Sequence, residues 1–390
     1  MKLFSCLPSL FAAALGVMAP WAFSQQVPAI VVQQNANRAT PIALAGFAPE
    51  VRRILEFDLT VVGFDVVADD KAQYIASSVK AAEFAGALRD GISDKELFRR
   101  QYPGGGLRSQ AHALAEDIAE ALHPGSGLSR KKIAYKQKVK GGSEIFVSDF
   151  DGANPVQMTS DGSDVAAPAW VPGRMMLYYT SYRLNNPDVY SHNLTTGNRM
   201  PVARYSGSNI SPAPSPDGSQ VAMVLSKSGS PDLWVTAADG THPRQLTRSK
   251  EDESSPCWSP DGRRICFTSR MDGRPALYTI SSTGGAPQKL ETGGITGATE
   301  PDWSPDGKWI AFTRFSGGSF QICVVAAAGG EAKILREGED SSWGPNSRTL
   351  VFVRRLGGGQ RTLSLLDVPT GRVKDWNWLS GSCSQPSWAR

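Results

Sequence analysis

Few side chains in this sequence stand where they could do covalent chemistry. Histidine occurs at 112, 123, 192 and 242, and no two are four residues apart, the spacing that puts two metal ligands on one helix face. His112 falls within a helical period and reads as a structural histidine. No Gly-x-Ser-x-Gly string occurs, so the sharp turn that exposes a hydrolase serine is missing. Gly104-Gly105-Gly106 precedes a helix, and its N–H groups could hold an anion, but no strand signal or lysine completes a nucleotide site. The reading is a protein without catalytic residues, metal or cofactor. A net charge of +4, from 41 basic and 37 acidic side chains in 390 residues, lacks the one-sided basicity of a nucleic-acid binder.

Cysteine is the exception. Apart from Cys6, thiols stand at 257, 266, 323 and 383, with no Cys-x-x-Cys among them. If Asp261-Gly262 is the two-residue turn of a hairpin, Cys257 lies directly opposite Cys266. Such a pair either forms a disulfide of strained geometry or remains as two small buried thiols.

The elements that position these residues repeat. Pro-x-Trp-Ser-Pro-Asp-Gly occurs at 256–262 and at 301–307, with decayed copies at 168–173, 212–218, 341–346 and 386–388. Anchored on the Trp slot, the copies fall at 170, 214, 258, 303, 343 and 388, in steps of 44, 44, 45, 40 and 45. Within each unit, short alternating runs such as Arg264 to Thr268 are separated by Gly-rich turns, which gives four antiparallel strands. Six such units of about 44 residues predict a six-bladed β-propeller over 128–390. The excess of Gly (39) and Pro (26) comes partly from the turns, where Pro presets φ and Asp-Gly reverses the chain. The Trp rings are read as wedges between blades. Lys132-Ile133-Ala134-Tyr135 has no anchor before it and Trp388 has no run after it, so the strand ending at Trp388 is expected to pair with the one begun at Lys132 and close the ring.

The segment before the propeller differs. Lys2, the apolar run Leu7 to Ala19 and Ala22-Phe23-Ser24 read as a signal peptide over 1–24, and Cys6 lies ahead of the apolar run, where a lipoprotein cysteine does not. No later stretch reaches 18 apolar residues, so no direct membrane insertion is expected. Residues 25–127 read as a small α/β domain, with strands at Ala29-Ile30-Val31-Val32 and Ile42-Ala43-Leu44-Ala45. One helix starts at Pro49, and a second runs from Leu107 to Leu122. Pro124 to Gly127 is the linker.

In a propeller the innermost strand starts near the central channel, and here that is the strand leading into each Trp. Candidate partner-binding residues at the channel mouth are Ser211, Glu253, Ser254, Ser255, Thr299 and Glu300, with Ile210, Asp252, Glu339, Asp340, Ser384 and Gln385 at related positions.

Taken together, these features resemble the TolB family of the Tol-Pal cell-envelope system. The residues that carry the resemblance are the signal sequence, Pro41 to Phe47, Leu107-Arg108-Ser109-Gln110-Ala111-His112, Lys132 to Tyr135 and the Trp-Ser-Pro-Asp-Gly blades. The resemblance implies a non-catalytic periplasmic monomer. It would bind a Pal-like peptidoglycan-associated lipoprotein at one channel mouth and a TolA-like inner-membrane protein through its mature N-terminus. That N-terminus is Gln25 to Gln33, with Val27, Ile30 and Val31 as contacts. Its alternating Val27, Ala29 and Val31 suit addition to a partner's sheet edge. The segment lacks the acidic residues of the family motif. The alternative is a secreted propeller that binds a peptide or glycan outside any Tol-Pal machinery.

Overall fold

The computed structural model describes residues 38–81, 83–376 and 381–390. The signal segment, the strand read at 29–32 and the contact residues Val27, Ile30 and Val31 lie outside them. Among the described residues no helix is long and apolar enough to cross a membrane.

The first part of the chain is a five-stranded sheet with two helices. β1 (Thr40–Ala45), α1 (Pro49–Thr60), β2 (Phe64–Val66), β3 (Tyr74–Val79), β4 (Ala85–Asp90), β5 (Glu96–Gln101) and α2 (Leu107–Leu122) follow in order. The strand order is β2-β1-β3-β4-β5, with β1 parallel to β2 and β3, and the remaining pairs antiparallel. Pro49 opens α1, where a first-turn N–H has no intrahelical partner to lose. Both helices bury the faces their periodicity marks, Val51, Ile54, Leu55 and Leu59 on α1 and Ala111, Leu114, Ala115 and Ile118 on α2. Only β1 was visible in the sequence. β3 is rich in Ala and Ser and β5 is almost wholly exposed, so neither shows the alternation by which strands are read.

Six four-stranded antiparallel sheets follow, arranged as a propeller. The innermost strands of blades 2 to 6 are Val165–Trp170, Asn209–Pro214, Glu253–Trp258, Ala298–Trp303 and Glu339–Trp343. Blade 1 is completed by the far end of the chain: Cys383–Trp388 pairs with Lys132–Val139, Trp388 facing Ile133. The ring closes through this strand, as the unmatched ends of the repeat foretold.

Each Trp of the repeat fills the seam between its own blade and the preceding one. Trp303 packs with Cys266 and Leu277 of blade 4 and with Ile310 of blade 5, and Trp258 packs with Leu233 of blade 3 and Ile265 of blade 4. Trp170, Trp343 and Trp388 do the same, all buried.

The turn after the Trp differs in detail from the sequence reading. Ser259 N–H donates to the carbonyl of Arg264, and Gly262 N–H donates to that of Ser259, so the connection has the four residues Pro260 to Arg263 rather than two. Gly262 sits at φ 69, open to glycine at no steric cost. Asp261 accepts the Ser259 hydroxyl at 2.5 Å, and that hydroxyl accepts Arg264 N–H at 2.9 Å. Shortening or lengthening both sides of the turn equally leaves the register unchanged, so Cys257 still faces Cys266.

The α/β part and the propeller share one core. Leu55, Leu114 and Ile118 join Tyr135, Phe150, Val353, Leu365, Trp376 and Trp388 in a single apolar cluster. Beside it runs a largely buried polar chain: His112 Nδ1 stands 2.6 Å from Asp58 Oδ2, and the half-buried Arg108 pairs with Asp151. His112 is thereby a structural residue, as read. Burial would lower its pKa, but the hydrogen bond and charge of Asp58 raise it above the ordinary value. Burial pushes Asp58 up to about 6, against the lowering influence of His112.

Candidate functional site

The innermost strand of every blade breaks its ladder at the same place. In blade 4, Ser254 faces Thr268 and Cys257 faces Cys266, so Ser255 and Pro256 together oppose the single residue Phe267. The same two-against-one bulge recurs in the other five blades. Its first residue is left-handed each time: Ala167 (φ 50), Ser211 (54), Ser255 (51), Glu300 (54), Asp340 (52) and Gln385 (49). None is glycine, and a left-handed L-residue costs about 1–2 kcal/mol. The second bulge residue is proline in five blades and Ser341 in the sixth. Proline suits a position whose N–H has no ladder partner. The Pro of the repeat therefore marks the bulge, and the residue before it marks the channel wall.

These six residues form a ring around a cavity of about 400 Å³. Side chains of the ring hold the backbone of the next blade. Glu300 Oε2 accepts Asp340 N–H at 3.2 Å, Asp340 Oδ2 accepts Gln385 N–H at 3.2 Å, and Gln385 Oε1 accepts Ala167 N–H at 3.0 Å. Ser211 N–H instead donates to Thr180 Oγ1 of the preceding blade at 3.2 Å. Four of the six freed ring donors are thus paired across blades, which preorganises the ring. Two residues further on lies a second tier: Ala169, Ala213, Cys257, Asp302, Ser342 and Ser387. Asp302 Oδ2 accepts Trp343 N–H at 2.6 Å and pairs with Arg390, whose guanidinium also donates to the carbonyls of Trp303 and Trp343 at 3.3 Å.

The ring's charge is concentrated on one side. Burial, then the neighbouring Glu300, push the Asp340 carboxyl well above the usual carboxylate range. Such a wall offers half-buried acceptors to a guest.

Of the residues read as the channel mouth, Ser211, Ser255 and Glu300 line the cavity, and Ser254 and Thr299 flank the ring without lining it. Glu253 does not belong there. It is 1% exposed and accepts hydrogen bonds from Thr247 Oγ1 (2.9 Å) and Ser249 Oγ (2.7 Å) of the segment that leads out of blade 3. The cause is alternation: residues two before the ring residue turn into the blade, as the buried Val165, Asn209, Ala298 and Cys383 do at the same position of other blades. Burial pushes Glu253 up to about 7. Ala167, Asp302 and Arg390 were missed in the sequence, although Ala167 stands three residues before the Trp slot like the other five. Cys257 and Cys266 face each other as expected, but both thiols are free in the structure. No disulfide joins them there.

A family model described as the TolB beta propeller domain matches residues 120–390. The Tol-Pal system protein TolB of Anaeromyxobacter dehalogenans is 31% identical over 279 residues, covering 61% of this chain and 64% of that protein. The Tol-Pal system protein TolB of Desulfosudis oleivorans is 32% identical over 164 residues, covering 42% of this chain and 37% of that protein. The chain therefore matches less than two thirds of the length of these relatives. The crystal structure of TolB from Acinetobacter baumannii has the same fold, with a TM-score of 0.80 at 23% identity over 90% of this chain and 97% of that one.

Proposed function

Because the chain belongs to the TolB β-propeller family, we propose that it is a non-catalytic, periplasmic protein-binding component of a Tol-Pal system. In this reading it links a Pal-like peptidoglycan-associated lipoprotein of the outer membrane to a TolA-like inner-membrane protein, and supports envelope integrity during constriction. The lipoprotein docks at the propeller channel, and the N-terminal segment Gln25 to Gln33 reaches the inner-membrane partner.

The observation that carries this reading is the ring of six left-handed residues around the channel. Strain of this kind persists where surrounding structure enforces it, and sites of recognition are where it collects. A cavity of about 400 Å³ is sized for an inserted loop or side-chain cluster, and half-buried acceptors on its wall suit the N–H groups of such a loop.

Photo-crosslinkers at Ser255 and Glu300 of the full chain, in cells, are expected to capture a peptidoglycan-associated lipoprotein. Capture of none, together with a clear ligand on a carbohydrate array, would overturn the assignment in favour of a glycan-binding propeller.

A further inference from the structure

Cys257 and Cys266 are unlike the other two described cysteines. Cys323 lies in blade 5 and Cys383 in blade 1, whereas these two stand directly opposite on adjacent strands of blade 4. Opposed residues in an antiparallel pair lie about 4.5–5.5 Å apart at Cα, inside the roughly 4.4–6.8 Å that a disulfide spans. Their surroundings differ. Cys257 is half-buried and lines the second tier of the channel, where other blades carry Ala, Asp or Ser. Cys266 is fully buried among Trp303, Leu277 and Phe312. The charged groups that bear on Cys257 are Asp302 and Arg390, which pair with each other. No group of three or more His, Cys, Asp or Glu side chains able to hold a metal occurs among the described residues. The pair is therefore a dithiol with one face open to the channel.

We propose that Cys257 and Cys266 are a reversible redox pair in the channel wall, oxidised by thiol–disulfide exchange that begins at Cys257. The Cys257 thiolate attacks the disulfide of a donor, either a small disulfide or a disulfide oxidoreductase, to give a mixed disulfide and one donor thiolate. The Cys266 thiolate then attacks the Cys257 sulfur and expels the second donor thiolate. The two protons lost by the protein thiols end on the two donor thiolates, so a protein disulfide and two donor thiols replace two protein thiols and a donor disulfide. Bridges between directly opposed strand residues are strained, and strained disulfides have oxidising potentials and are readily reduced. A reversible modification follows rather than a permanent staple. The bridge would tie the innermost strand to its neighbour two residues after Ser255 and remove a thiol from the channel lining. Burial, and then the hydrogen bond with Cys266, hold the Cys257 thiol well above its ordinary range. Oxidation should therefore be slow near neutrality and rise roughly tenfold per pH unit with the thiolate fraction.

The test uses the full chain, reduced and then equilibrated with oxidised glutathione under native conditions. It is next denatured, alkylated with N-ethylmaleimide and mapped by mass spectrometry. The expected result is a Cys257–Cys266 linked peptide, two hydrogens lighter and unalkylated, with Cys323 and Cys383 alkylated and the bridge reopened by dithiothreitol in the native state. In Cys266→Ser, Cys257 should stop at the glutathione mixed disulfide; in Cys257→Ser, Cys266 should stay unmodified. Alkylation of both cysteines in the wild type, or a bridge that reopens only after unfolding, would overturn the proposal. Neither result bears on whether the channel binds a lipoprotein.

Discussion

Ser255 shows what a ring residue must tolerate. Its φ of 51 is one a β-branched side chain adopts only under strain, and one glycine adopts freely. Ser255→Gly should leave the urea midpoint unchanged or raise it by up to about 1 kcal/mol of stability, whereas Ser255→Val should lower it by more than about 1 kcal/mol. Equal midpoints for the two variants would mean the left-handed conformation is not enforced. Glu253 makes the complementary case. With a folded pKa raised by burial to about 7, it binds a proton more tightly folded than unfolded. Its contribution is present below the ordinary glutamate range and is lost as pH rises toward and through 7. Glu253→Gln should therefore flatten the fall in thermal stability between about pH 5 and 8. An unchanged slope would show that Glu253 does not titrate in that window. The ring was legible in the sequence because each ring residue stands three before the Trp slot of its repeat; Glu253 was misplaced because a formal acid near the mouth was read by position, without the alternation that turns it inward.

The blade is the element the sequence described best. A Pro-x-Trp-Ser-Pro-Asp-Gly string fixes bulge, wedge and turn in seven residues, so repeat spacing alone located the innermost strands. Trp303, 1% exposed between blades 4 and 5, should cost about 3–5 kcal/mol when truncated to Ala, measured by chemical denaturation. A loss under about 1 kcal/mol would mean that the seam collapses around the gap. The α/β sheet was harder to read. β5 carries Glu96, Arg99 and Arg100 and buries none of its residues, with Phe98 alone packed against the core. Its place comes from pairing with β4, a long-range contact that no local pattern announces.

At the scale of the whole molecule, the α/β part and the propeller are bound by a common core, by the buried Asp58, His112 and Asp151 side chains and by the half-buried Arg108. His112→Ala would leave Asp58 and Asp151 buried without their shared cation. It should lower stability by roughly 3 kcal/mol, with a calorimetric transition, expected to be single in the wild type, broadening or splitting in two. A single transition at the wild-type temperature would contradict this coupling. Ring closure was legible from the unmatched repeat ends, but the joint between the two parts was not, since its contacts pair residues more than 40 positions apart.

The central claim is that the channel itself receives the partner. Ala169 lines the cavity on the second tier and lies outside the strained ring, so an indole there fills the channel without disturbing a bulge. The direct measurement is calorimetric titration of the full chain and its Ala169→Trp variant with the soluble domain of a Pal-like lipoprotein. The account predicts binding at least 100-fold weaker in the variant, with an unchanged urea midpoint. Equal affinities in two equally stable proteins would contradict it.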